Sequence, residues 1–417
     1  MKKHSNSLKQ SEAPAKRRKL GVVVERKPQE VMAELVVKLA GQLDVEIVPA
    51  VEGKKDGRDA VRPNLNRLTV GVDLGDQWSN YCILGLGGET LVEGQFRTRK
   101  QEVAEFFQAL AMSRVVVEVG THSAWVREIM AGFGHEVLVA NPRLMEGSKR
   151  RRRKSDRIDA EKLARLGRMD PKSLHPIEHR STEVREDLVI LRARDALVKS
   201  RTELINSVRG QVKSMGGRVT GCSSVAFSQK AIAEIPEEVH ETLQPLLRLI
   251  ATLSEEIKTF DQRIEKLAAE KYMQTQLLRQ VSGVGPVTAL AFVLTLETPL
   301  RFARSGDVGP YLGLVPKQED SGDIQPQLGI SKAGDRMLRK LLVGSAHYIL
   351  GPFGPDTDLR RFGMRLCERG GKNAKKRAAV AVARKLAVLL HRLWASGEVY
   401  EPLGHGSVTR PAQAVAA

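Results

Sequence analysis

Short apolar runs separated by turn residues open the patterned part of the chain. LTVGVDLG (68–75), SNYCILGL (79–86) and ETLVEGQF (89–96) are rich in β-formers and bounded by Gly, Asp and Ser, which predicts three strands joined as a meander. An amphipathic helix follows near 100–112, then a buried-type strand, RVVVEVG (114–120), a helix near 123–133 and the strand HEVLVA (135–140). In KSDRIDAEKLARLG (154–167) the apolar positions Ile158, Leu163 and Leu166 predict another helix.

The period then lengthens. Leu243, Leu246, Ile250, Leu253, Ile257, Phe260, Ile264 and Leu267 alternate steps of three and four, a sustained heptad seam that requires a partner helix. Leu191, Val198, Ile205 and Val212 recur every seven residues and can supply it, as an intramolecular hairpin or a dimerising coiled coil. The stretch 213–236, with Gly216, Gly217 and Gly221, would cap that arm. VSGVGPVTALAFVLTL, a tight Gly turn leading into an apolar helix, begins a compact later domain that closes with a basic helical tail over 372–396. Residues 1–66 are polar and basic, with KRRK at 16–19 and room for a short helix near 29–41.

Three hairpin-linked strands followed by alternating helix and strand is the order of an RNase H-like domain. The expected architecture is a basic, flexible N-terminal extension (1–66), an α/β RNase H-like domain (67–180), a helical coiled-coil arm (181–277) and a mainly α-helical C-terminal domain (278–417).

Composition narrows the class. Lys and Arg number 67 against 49 Asp and Glu, a net charge of +18, which predicts a polyanionic partner held through phosphates. With 10 Phe, 5 Tyr and 3 Trp, stacking along single strands is disfavoured relative to contacts with a duplex backbone. Cys82, Cys222 and Cys367 are odd in number and widely spaced, which excludes a zinc or CxxC redox motif and points to a reducing, cytoplasmic compartment. The longest apolar stretch, Ala378 to Trp394, is broken by Arg384, Lys385, His391 and Arg392, so no membrane span is expected.

Candidate chemistry lies in four acids. Asp73 and Glu118 fall inside apolar strands, where a bare carboxylate needs a cation or a metal. Asp156 and Asp159, three apart on a predicted helix, share a face with each other. Four converging carboxylates suit Mg²⁺, a hard ion that prefers oxygen ligands and shares its shell with phosphate. Asp76 reads as a turn residue, and His122 and His347 as core or turn histidines. The run Lys149, Arg150, Arg151, Arg152, Arg153, Lys154 precedes Asp156 and is placed to track nucleic acid. The Gly283 and Gly285 turn can expose backbone N–H groups to a phosphate, or can be a plain tight turn. Lys332, Arg336, Arg339 and Lys340 are further candidates for backbone contacts, as is the tail cluster Lys372, Lys375, Lys376 and Arg377.

VGVDLGD, VVVEVGTHS, ANPR and RRKSDRIDAEKLARL, followed by GVGPVTALAF, YLGLVPKQEDSGD and LGISKAGDRMLRKLL, resemble the DEDD transposases of bacterial insertion sequences. In that family a RuvC-like domain is joined to a C-terminal transposase domain, and the likeness runs from about 68 to about 403. The resemblance implies that Asp73, Glu118, Asp156 and Asp159 are a metal-binding tetrad. It also implies that Ser321, in QEDSGD, is a nucleophile forming a phosphoserine link to DNA and freeing a 3′ hydroxyl. It further implies double-stranded DNA as substrate, a non-coding guide RNA as partner and a homo-oligomer as the working form. A junction-resolving nuclease with a structural Ser321, and a non-catalytic nucleic-acid-binding protein, are the alternative readings. Glu319, Asp320 and Asp323 crowd Ser321 with negative charge, and no histidine lies within ten residues of it, so its activation must come from elsewhere in the fold.

Overall fold

The computed structural model describes residues 30–31, 33–34, 67–142, 144, 156–318 and 328–403. The segment 149–154 and Ser321 lie outside the described residues, as does most of 1–66. Val31, within that first segment, is buried at 1% exposure. The chain divides into two compact units, 1–179 and 180–417.

The first unit is built on a five-stranded sheet in the order β3-β2-β1-β4-β5. Its strands are β1 (Thr69–Asp73), β2 (Trp78–Leu84), β3 (Thr90–Arg97), β4 (Arg114–Glu118) and β5 (Glu136–Ala140). β1, β2 and β3 pair antiparallel, while β4 runs parallel to β1 and β5 parallel to β4. Parallel strands are covered on both faces and so read as near-continuous apolar runs, as TVGVD and RVVVE do. Helices α1 (Lys100–Ala109) and α2 (Ser123–Gly132) belong to one core with Val70, Val72, Val115 and Val117, where Tyr81, Phe96, Phe106 and Phe107 form an aromatic cluster.

The opposite face carries α3 (Asp156–Met169). Its buried stripe is Ala160, Leu163 and Ala164, whereas Ile158, which the periodicity places inside, is 39% exposed. Small residues replace large ones because the helix lies almost on the sheet backbone. A Cβ on Gly71 would stand 2.0 Å from the Ala160 carbonyl oxygen, and one on Gly167 would stand 2.2 Å from Val116 Cγ2. Arg114, 2% exposed, fills the end of this interface: its guanidinium donates to both Glu136 carboxylate oxygens (3.0 and 2.9 Å) and to the Gly167 carbonyl (3.0 Å).

The second unit begins with a helical hairpin. Helix α4 (Thr182–Ser214) returns antiparallel as α6 (Glu237–Glu270), with α5 (Phe227–Glu234) at the turn. Arg194 pairs with Asp261 (2.5 Å), Arg201 donates to Ser254 Oγ (3.2 Å) and Lys271 pairs with Asp187 (2.5 Å). The seam therefore finds its partner within the chain. Its fully buried positions on α6 are Leu243, Leu247, Ile250, Ser254, Ile257, Ile264 and Ala268, while Leu246, Leu253, Phe260 and Leu267 flank them half-buried. The remaining helices are α7 (Gln274–Leu278), α8 (Pro286–Leu296), α9 (Val308–Tyr311), α10 (Arg336–Leu350), α11 (Asp358–Glu368) and α12 (Ala374–Ser396). α8 is buried all round from Thr288 to Leu296 and forms the centre of this unit's main core.

Candidate functional site

The β1–β4 pairing runs from Thr69 opposite Arg114 to Val72 opposite Val117. Asp73 and Glu118 are the next residues and thus stand at the C-terminal tips of neighbouring parallel strands. Both are half-buried rather than enclosed. The covering helices shield the middle of each strand and leave the tips open, so an apolar sequence neighbourhood overstates how dry a strand end is. Asp73 faces Asn80 across the β1–β2 ladder, and Gln95 Nε2 donates to Asn80 Oδ1 (2.6 Å).

The direction of α3 follows from its contacts. Ala160 and Ala164 cross β1 at Gly71; farther along, the Gly167 carbonyl accepts from Arg114, the first residue of β4, and Arg168 Nη1 donates to the carbonyl of Arg67, just before β1 (3.5 Å). The helix therefore runs opposite to β1 and β4, and its first turn, with Asp156 and Asp159, is at the end of the sheet where Asp73 and Glu118 sit. Asp159 is half-buried; the Asp156 side chain lies outside the described residues. Among the described residues, no three His, Cys, Asp or Glu side chains are gathered closely enough to hold a metal ion.

Polar groups set aside in the sequence reading occupy the same end of the sheet. His122, just before α2, accepts at Nδ1 from Trp125 Nε1 (3.2 Å), which leaves Nε2 protonated and directed at Asp76 Oδ1 (3.7 Å). Ser123 Oγ donates to the Gly120 carbonyl (2.8 Å), so the 3.0 Å contact from His179 Nε2 is a donation to that oxygen. The short segment β4-VGTHS-α2 thus puts His122 and Ser123 beyond the tip that carries Glu118. THS directly after an apolar strand was the available signal.

The comparisons with known proteins fall on both units. A transposase profile of the DEDD, IS110 type matches residues 70–216, and the profile of the IS116/IS110/IS902 transposase family matches residues 275–355. The chain belongs to the IS110 family of DEDD transposases. It is 29% identical over 339 residues to the "Transposase for insertion sequence element IS1111A" of Coxiella burnetii, covering 79% of this chain and 90% of that protein. It is also 29% identical over 351 residues to the "Probable family 20 transposase" of Pseudomonas aeruginosa, covering 81% of this chain and all of that one (100%). Transposases are enzymes that cut and rejoin DNA, which sets aside the non-catalytic reading.

A divalent metal is implied for this transposase by its family. The donor chemistry fits: Asp73 and Glu118 offer hard oxygen ligands on adjacent, partly open strand tips, and the Asp159 turn belongs to the same end of the sheet.

In the second unit, the segment holding Ser321 leaves from a closed stem. Pro316 bridges Ile330, Lys317 N donates to the Gly329 carbonyl (3.0 Å) and Ser331 N to the Val315 carbonyl (2.9 Å). Lys332 and Arg336 are exposed, as are Lys372, Lys375, Lys376 and Arg377. Arg339 and Lys340 are already engaged. Arg339 Nη1 donates to the Leu312 and Ala333 carbonyls (2.9 and 2.7 Å), and Lys340 pairs with Asp195 (2.6 Å). Gly283, at φ +85°, and Gly285 form a turn lining a concavity of about 670 Å³ with Arg279, Ser282, Thr288 and Lys340.

Proposed function

We propose that the transposase cuts and rejoins double-stranded DNA with a carboxylate site formed by Asp73, Glu118, Asp156 and Asp159 and a serine nucleophile, Ser321. The observation that carries this reading is the meeting, at one end of the sheet, of two adjacent strand tips bearing Asp73 and Glu118 with the first turn of an antiparallel helix bearing Asp156 and Asp159. Strand order β3-β2-β1-β4-β5, with two antiparallel pairings among β1, β2 and β3 and two parallel pairings, β1 with β4 and β4 with β5, supports an RNase H-like assignment for this unit. The antiparallel α4–α6 pair supports a coiled-coil arm, and oligomeric assembly is part of the reading because serine and carboxylates lie on separate units.

In the proposed reaction Ser321 Oγ attacks a backbone phosphorus and the P–O3′ bond breaks. The serine proton leaves with that step, and the departing O3′ takes up a proton to become the hydroxyl used in strand exchange. Mg²⁺ held by the four acids would supply charge neutralisation for the phosphoryl displacement. The carboxylates hold and orient that charge, while exposed cations such as Lys332, Arg336 and Lys375 retain the duplex through its phosphates. Lys149 to Lys154, immediately upstream of α3, and a guide RNA complete the reading, with cytoplasmic localisation.

Trapping the reaction, digesting the DNA and mapping phosphorylated peptides tests it. A phosphorylated Ser321 peptide from the native chain, and no cleavage by Ser321→Ala, are expected. Continued cleavage by Ser321→Ala would favour the water-using nuclease.

A further inference from the structure

A cavity of about 1080 Å³ in the second unit runs along one face of α12. Lys376, Arg377, Arg384, Lys385 and Arg392 line it from the helix, with Lys317 from the stem wall, against only Asp358 and Glu401. Between Lys376 and Arg392 the helix advances ~24 Å. Among the described residues, Lys376, Arg377, Arg384 and Lys385 have no carboxylate within ion-pair distance; Arg392 reaches Glu398 at 3.6 Å. Unpaired cations are ordinary on a convex surface. Four along one concave face form a focused positive potential.

The floor of the cavity is different in kind. Leu359, Phe362, Val380, Val388 and Leu389 line it, and Lys385 Nζ lies 4.3 Å from the centre of the Phe362 ring. An apolar floor inside a cationic rim matches an anion that carries a flat apolar body, which a free phosphate or a simple polyanion lacks. An intact duplex offers phosphates on its outside and keeps its bases stacked within, so it would meet the rim and leave the floor unfilled. A single-stranded nucleotide fills both: phosphates on the α12 cations, base against Phe362 and its aliphatic neighbours.

We infer that this cavity is a binding site for a short single-stranded DNA segment, with at least one unstacked base seated on the Phe362 floor. DNA is the polymer that transposases process. The cavity wall includes Pro316, Lys317, Leu328, Gly329 and Ile330, the stem from which the Ser321 segment departs. The inference rests on the proposed function only in taking DNA as the occupant. Its test measures binding alone, so that loss of the serine mechanism and loss of this site are separable.

The experiment uses the full chain with a fluorescent ten-nucleotide oligothymidylate, competed by a duplex of equal length, by oligouridylate and by inorganic polyphosphate. Lys385→Glu with Arg392→Glu is expected to weaken oligothymidylate binding at least tenfold. Phe362→Ala, which leaves the charge unchanged, should weaken it severalfold and abolish photocrosslinking of a 4-thiothymidine probe to peptides of α11 and α12. Leu350→Ala, beneath the Phe362 helix but outside the cavity, serves as the control for packing damage and should retain the crosslink. Polyphosphate displacing the probe as well as unlabelled oligothymidylate, or Phe362→Ala binding and crosslinking like the native chain, would overturn the inference. Stronger displacement by oligouridylate would assign the site to RNA instead and overturn the DNA assignment.

Discussion

Gly71 and Gly132 make opposite demands on a side chain, and the contrast tests the packing of the first unit. A methyl group at Gly71 would meet the Ala160 carbonyl at 2.0 Å, so Gly71→Ala must push α3 off the sheet, with an expected cost of about 1–3 kcal/mol. A methyl group at Gly132, near the end of α2, meets nothing within 4 Å, and Gly132→Ala should stabilise by roughly 0.5–1 kcal/mol. Thermal unfolding of the two variants beside the native chain should shift in opposite directions. Cys82 offers a second probe of the same cover. It is fully buried, and burial pushes its thiol up to about 11, so its thiolate is scarce at pH 8. Native protein should present Cys222 and Cys367 to a thiol reagent promptly and Cys82 only on unfolding; prompt reaction of all three would contradict the position of α3. Some residues were readable in advance and others were not. Asp73 and Glu118 stood out because a charge inside an apolar run is conspicuous, and their strand-tip placement follows from strand length. Arg114 gave no such sign: a basic residue opening a strand reads as a surface position, and its burial to 2% goes with hydrogen bonds to Glu136 and to the Gly167 carbonyl.

At the scale of elements, the pattern located the strands and long helices well because the strands are short apolar runs bounded by turn residues and each long helix of the hairpin has one face that must leave water. It located their buried faces less well. Of the α3 stripe Leu163 was legible, but its small residues escaped notice since Ala160, Ala164 and Gly167 carry little hydrophobic signal, and close approach to the sheet, which selects small residues, is a property of the partner surface. On α6 Leu246, Leu253, Phe260 and Leu267 flank a core that includes Ser254 and Ala268. Ser254 is tolerated there because its hydroxyl accepts from Arg201 and donates to the Ile250 carbonyl (2.8 Å). Ile250 is fully buried among Leu243, Leu247, Val208 and Val212, so Ile250→Ala should cost about 2–5 kcal/mol. Circular dichroism on heating would show an earlier loss of helix than in Leu249→Ala, whose side chain is 47% exposed.

For the whole molecule, the excess of 18 positive charges makes nucleic-acid affinity steeply dependent on salt. Raising salt from 50 to 200 mM should lower duplex affinity by roughly 10³-fold or more if six or more phosphates are neutralised. A filter-binding or anisotropy titration in several salt concentrations would give the slope; a flat profile would contradict backbone-dominated binding. If the proposed carboxylate site is right, Asp73→Asn combined with Glu118→Gln should abolish recombination while leaving that slope nearly unchanged. No helix among the described residues is long and apolar enough to cross a membrane.

A helix whose backbone touches strand backbone at Gly71, and whose Gly167 closes on the Val116 side chain, has little room along which to slide. Lengthwise slippage would drive a carbonyl into a strand, and tilting would open a gap at one end. The distance from the first turn of α3 to the strand tips is therefore set when the unit folds, before anything binds. Ligands at that rim must conform to a ready-made spacing, and a substitution that thickens the interface at either glycine should spoil the rim without touching a single acid.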